Sequence, residues 1–155
     1  MSESGFDSQP QTKDSVIKLL RQLLPGNPYL DTIIRFTEEA YKSDRFSITP
    51  VDCFEAVANI LEKDPQDIAE IANSGSGSFT PELLDLVALM GMDEPDQTIP
   101  DAVHVGLVVD PDNGLVWSKL GVRGRIEILS LDELYKILPI ERAGDPKYFD
   151  VGLHP

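Results

Sequence analysis

Four times in its first half, this chain places a helix-capping side chain directly before a proline: Asn27-Pro28, Thr49-Pro50, Asp64-Pro65 and Thr80-Pro81. A capping oxygen followed by a residue with no N–H and a fixed φ is a helix start, because the first N–H groups of a helix have no partner within it. Asp52 stands three residues after Thr49, and Asp67 three after Asp64, so two of the starts approximate a capping box. These signals predict helices over about 15–24, 28–43, 50–62, 65–73 and 81–90, with Pro25 and Gly91 as stops.

Apolar spacing agrees. Val16, Ile17, Leu19, Leu20, Leu23 and Leu24 stripe the first helix, and Leu30, Ile33, Ile34, Phe36, Ala40 and Tyr41 the second. On the third, Phe54, Val57, Ile60 and Leu61 line the inner face with Cys53 on its edge, so that the thiol points toward the core or its rim. SGSGS at 74–78 is a flexible connector too short to separate domains. Beyond the polar stretch MDEPDQTIPDA the period changes. VHVGLVV, LVWSKLG and RIEILSL are rich in β-branched and apolar residues, with DPDNG as a turn between the first two. They predict an antiparallel hairpin extended by a third strand. LDELYKIL (131–138) closes as a short helix, and the C-terminal ERAGDPKYFDVGLHP reads as loop anchored by Tyr148 and Phe149. Helices followed by an antiparallel sheet is the α+β class, with N-terminal helices packed on a small antiparallel sheet.

The chain has 155 residues, enough for one core and too few for two ordinary domains. Residues 1–13 are polar and cannot bury enough surface to offset the entropy of ordering them. The expectation is a disordered tail over 1–13 and a single domain over 14–155. Lys plus Arg number 13 against 27 Asp plus Glu, a net charge of −14 that repels phosphate backbones and anionic membranes. Neither nucleic acid nor membrane is expected as a partner. No leader-like start and no run approaching the roughly 20 apolar residues of a membrane span is present, so a cytoplasmic location is expected. The single cysteine excludes an internal disulfide framework and any multi-cysteine metal site, and no cofactor is implied. Acidity serves solubility first. Its functional alternative is a basic protein partner, with carboxylates clustered around DEPDQTIPDA.

The one cysteine, Cys53, falls in the first turn of a predicted helix, and His104 opens a predicted strand. Thiolate attack with imidazole as proton acceptor needs that pairing. A helix N-terminus favours the thiolate by only about 0.3–1 kcal/mol, under one pKa unit, and Asp52 and Glu55 oppose it. Contact with His104 is therefore decisive. The plainer reading makes Cys53 a buried small hydrophobe, His104 a satisfied strand-end histidine, Trp117 core, Lys119 solvated and His154 incidental.

VDCFEAVANIL and HVGLVV are similar to the "DC…" and "HVGIY…" motifs of NlpC-type cell-wall amidases and peptidases, small bacterial papain-fold proteins. GLVWSKLG…RIEILSLDEL resembles a strand and following helix of papain-fold proteins without an assigned activity, so the likeness spans roughly 49–138. The resemblance implies a papain-like arrangement with Cys53 as nucleophile, His104 as general base, Ser118 as orienter and the Cys53 backbone N–H in an oxyanion site. It further implies a peptide or amide substrate, with amide or thioester hydrolysis or acyl transfer as the reaction. The sequence departs from the pattern before the cysteine, where only Ser47 or Thr49 offers a polar group in place of the usual Gln. The third position falls at Ser118 or Lys119 by hairpin register.

A second likeness, of VANILEKDPQDIAEIAN and the following helix to a repressor-type helix-turn-helix, puts Asp67 and Glu70 and no basic residue on the recognition helix. Charge excludes DNA there. Two functional readings stand: a cysteine hydrolase-like protein, and a non-catalytic acidic protein-interaction module of immunity- or inhibitor-like kind. Neither fixes an oligomeric state.

Overall fold

In the computed structural model, residues 11–41, 52–92, 96–121, 124–138 and 141–153 are described. Thr12 caps α1 (Lys13–Leu23): its hydroxyl accepts from the Ser15 N–H at 3.1 Å, while the Ser15 hydroxyl accepts from the Thr12 N–H at 2.9 Å. Gln11, Thr12 and Lys13 thus belong to the fold, and the rest of the expected tail lies outside the described residues. Asn27 accepts from the Tyr29 N–H ahead of α2 (Leu30–Ala40). Asp52 caps α3 (Cys53–Leu61) in a reciprocal box with Glu55, while the predicted start at Thr49-Pro50 lies outside the described residues. α4 (Pro65–Ala72) begins where expected, with Pro65 in its first turn and the Asp64 carboxylate accepting from the Gln66 N–H.

The helix expected over 81–90 does not form. Leu84 takes a left-handed φ of 64°, and β1 (Leu86–Met92) follows as a strand. Its Leu-Val-Ala-Leu-Met run is buried on both faces at the centre of a sheet, and a continuous apolar stretch has no period to tell helix from strand. The other strands are β2 (Asp101–Asp110), β3 (Leu115–Lys119) and β4 (Ile126–Ser130). After α5 (Leu131–Ile137) come β5 (Glu141–Arg142) and β6 (Lys147–Phe149). Six antiparallel strands are ordered β4-β3-β2-β1-β5, with β6 also pairing β1. The predicted hairpin and third strand are present as β2, β3 and β4. The C-terminal stretch read as loop supplies β5 and β6, and Tyr148 and Phe149 are buried there as anchors.

Alternation divides the strand side chains between two cores. Ala88, Val105, Leu107, Trp117, Ile126 and Ile128 face α1 to α4. Val87, Leu89, Val108, Val116 and Leu129 face the other way, onto Leu134 of α5. The protein is therefore α+β: among the described residues, four helices lie over one face of a small antiparallel sheet and α5 over the other. Trp117 is core: its indole N–H donates to the Thr37 hydroxyl at 3.1 Å, and that hydroxyl donates to the Ile33 carbonyl at 2.7 Å. The outer edge of β4 is engaged by side chains. The Gln11 amide donates to the Ile128 carbonyl at 2.7 Å and accepts from the Ile128 N–H at 2.8 Å, and the Tyr41 hydroxyl donates to the Ile126 carbonyl. Among the described residues no helix is long and apolar enough to cross a membrane.

Candidate functional site

Cys53 is the first residue of α3 and packs in the helix-side core against β2, with its sulfur at the Val105 backbone. Only 6% of the residue is exposed. Burial pushes the thiol up to about 11; Asp52 adds to the rise, and the backbone of Val105, Phe54 and Cys53 itself opposes it. At neutral pH the sulfur carries its proton.

His104 is not the residue that meets this thiol. Its cross-strand partner is Leu89, which belongs to the α5-side core, whereas its neighbour Val105 belongs to the helix-side core with Cys53. Paired residues share a face and successive residues alternate, so the sheet itself stands between the imidazole and the sulfur. The irregularity in the β1–β2 ladder, where Met90 pairs with Ala102 rather than Val103, lies beyond His104 and leaves this alternation intact. Buried to 2% exposure, the His104 imidazole is held down to about 4 by desolvation, and among the described residues its Nε2 makes no hydrogen bond. The expected Cys53–His104 pair is thus not assembled.

Ser118 lies with His104. A β-carbon placed on Gly106 would come within 2.9 Å of the Ser118 Cβ, which puts Ser118 across from Gly106, two residues along β2 from His104 and on the same face. Ser118 is fully buried, and among the described residues its hydroxyl makes no hydrogen bond, to His104 or to any other group. The Ser47 and Thr49 candidates for the oxyanion site lie outside the described residues, as does His154.

Lys119 corrects a second expectation. Read from sequence as solvated, it has no exposed surface. It shares the Trp117 face, and its Nζ donates to the carbonyls of Gly121 and Gly124, each at 2.9 Å, as the β3–β4 turn folds over it. Burial pushes this ammonium down, while nearby Asp52, Cys53 and Glu55 hold it up. Lys119 is therefore, with Asp52 and Glu55, one of the charged side chains near the thiol. Alternation along LVWSK placed it on the right face; only the turn that covers it escaped the sequence.

A concavity lies elsewhere. A cleft of about 700 Å³ is lined by Asp67 and Glu70 of α4 together with Glu82, Asp85 and Asp150, over a floor that includes Ile71 and Phe149. Among the described residues no Lys, Arg or His lines it, nor do Cys53, His104 or Ser118. Asp85 is 3% exposed and accepts from the Glu82 N–H at 3.0 Å; Asp150 accepts from the Gly152 N–H at 2.9 Å. Asp67 and Glu70 lie one helical turn apart with exposed side chains. Sequence reading used those two residues to exclude DNA and placed the functional acidity at 93–102 instead. Residues 96–100 of that stretch do not line the cleft. Among the described residues no three His, Cys, Asp or Glu side chains gather as metal ligands.

No family model, curated protein or solved structure matches this chain.

Proposed function

We propose that this chain is a non-catalytic, acidic protein-interaction module of immunity- or inhibitor-like kind, on a papain-like arrangement whose cysteine and histidine have come apart. The supporting observation is the cleft: five carboxylates line it, and among the described residues no Lys, Arg or His does. Like charges held in a concavity repel one another and concentrate a negative potential, and the chain's net charge of −14 adds to that field. A Lys- or Arg-bearing segment of a partner relieves the repulsion and gains charge-assisted hydrogen bonds, while the apolar floor takes the stems of its side chains. The hydrolase reading, with a peptide or amide substrate, needs β2 to reverse its faces so that an imidazole reaches a buried, protonated sulfur.

The test is calorimetric titration with an arginine-rich peptide. A triple variant Asp67→Asn, Glu70→Gln, Glu82→Gln should weaken binding about tenfold or more, since each charged contact contributes on the order of 1 kcal/mol. The control Glu38→Gln, Glu62→Gln, Asp112→Asn removes the same charge from exposed positions elsewhere. Equal weakening by both variants would mean that only net charge matters, and the cleft would lose its role.

A further inference from the structure

Among the described residues three large apolar side chains are exposed: Phe79, Ile99 and Ile137. Ile99 belongs to the 96–100 stretch outside the acidic cleft, and Ile137 ends α5 on the other side of the sheet. Phe79 differs from both. It is 66% exposed and stands, along the chain, between Ser78 and Glu82, which both line the cleft. A lone apolar residue on a surface needs no explanation, but this one is carried on a strap whose backbone is pinned. Ser78 and Tyr148 exchange both backbone hydrogen bonds, each at 2.9 Å, beside β6. Before Ser78, Gly77 lies so close to the Phe149 ring that an added β-carbon would stand 2.7 Å from its Cζ. After it, the Ser78 hydroxyl donates to the Thr80 carbonyl at 3.2 Å, and Pro81 fixes φ. Phe79 therefore extends the apolar floor of Ile71 and Phe149 out to the margin of a cleft whose walls are carboxylates.

We propose that the cleft and Phe79 together dock an extended segment of a basic protein partner in which a large apolar side chain stands a few residues from an Arg or Lys. The inference rests on the acidic-cleft reading and adds to it the apolar requirement. Charge complementarity selects the occupant. A second copy of this chain would set −14 against −14. A purely apolar segment would desolvate the carboxylates of Asp67, Glu70 and Glu82 without giving them a partner. A cation seated among those carboxylates meets their charge, and because Ser78 and Phe79 are consecutive, with Cα atoms about 3.8 Å apart, a neighbouring apolar side chain on the same extended segment reaches the exposed ring. The ring is already held in place, so covering it orders little that was free.

The test is calorimetric titration of the full chain with two synthetic peptides that share a pair of arginines, one carrying leucine two positions on and the other serine in its place. The leucine peptide should bind about tenfold tighter. Phe79→Ser should erase that gain and leave the serine peptide's affinity unchanged, while Ile99→Ser, which removes a comparable exposed side chain away from the cleft, should change neither. In the unmodified protein, NMR should show contacts between the leucine methyl groups and the Phe79 ring, a readout that stands even if Phe79→Ser fails to fold. Equal affinities of the two peptides, a gain that survives in Phe79→Ser, or leucine methyl groups that contact other rings overturns this inference and leaves the acidic-cleft reading in place. Failure of both peptides to bind the wild type overturns the two together. A dimer of the wild type in sedimentation that Phe79→Ser dissolves assigns the surface to a second copy and overturns the proposal as well.

Discussion

Cys53 and His104 lie on opposite faces of one sheet, with β2 presenting Val105 to the sulfur and the imidazole to α5. This relationship sets the chemistry of both groups. Each is buried in apolar surroundings, each is held in its neutral form, and neither can exchange a proton with the other.

The thiol should accordingly be inert. With its pKa lifted from 9.0 to about 11, the thiolate fraction near neutral pH falls about 100-fold against an unperturbed cysteine. Alkylation by iodoacetamide should be slower than that of a model thiol by at least this order, and His104→Ala should leave the rate unchanged. A rate above the model thiol that drops on His104→Ala would restore the catalytic pair.

Stability should have a plateau bounded on both sides. His104 has a depressed folded pKa, about 4 against 6.5, so the unfolded chain takes up a proton first as pH falls. The contribution of the neutral imidazole is complete above about 6.5 and is lost as pH falls toward 4, on the order of 3 kcal/mol in all. Cys53 has a raised folded pKa, so its contribution is complete below 9.0 and is lost as pH rises toward about 11, again on the order of 3 kcal/mol. Urea midpoints measured across pH should show both flanks. His104→Phe should flatten the acid flank between pH 4 and 6.5, and a flank of the same steepness in that variant would assign it to carboxylates instead.

Gly106→Ala should be costly. A β-carbon there would stand 2.5 Å from Val116 Cγ1, 2.7 Å from the Trp117 carbonyl oxygen and 2.9 Å from Ser118 Cβ. One of these neighbours is backbone, so the strand pair must spread, at about 1–3 kcal/mol. Chemical denaturation reads this directly; an unchanged midpoint would show that β2 and β3 are not packed this closely.

Replacing Lys119 by Met keeps the stem and removes the amine, taking its donor from the Gly124 carbonyl while the Gly121 carbonyl keeps the Gly124 N–H. A loss of about 1–3 kcal/mol is expected from the bonds removed. Lys119→Arg should recover little, because a planar guanidinium does not fit a pocket built around one tetrahedral nitrogen. Equal stability of wild type and the Met variant would place the amine in solvent.

Caps, turns and alternating strands were legible in the sequence because they are local. Asp64-Pro65 starts α4, DPDNG turns β2 into β3, and LVWSK puts Trp117 and Lys119 on one face and Ser118 on the other. What escaped depends on distant partners. LVALM became a central strand because β2, β5 and β6 all pair with it, and nothing within 81–92 carries that information. The Cys53–His104 expectation came from residue types and short motifs, whereas which face of β2 meets α3 is decided by packing, and Val105 rather than His104 takes that face. The acidic cleft was visible only as separate carboxylates on α4, the 82–85 turn and the residue after β6, which chain folding alone gathers.

The amide of Gln11 holds both polar groups of Ile128, as a residue of a neighbouring strand would. A terminal strand left bare is a template on which further copies stack into fibrils, and one side chain here occupies the rung such a copy would need. Proteolytic trimming past this glutamine would therefore convert a guarded margin into an adhesive one, and the first symptom would be self-association before any loss of the core.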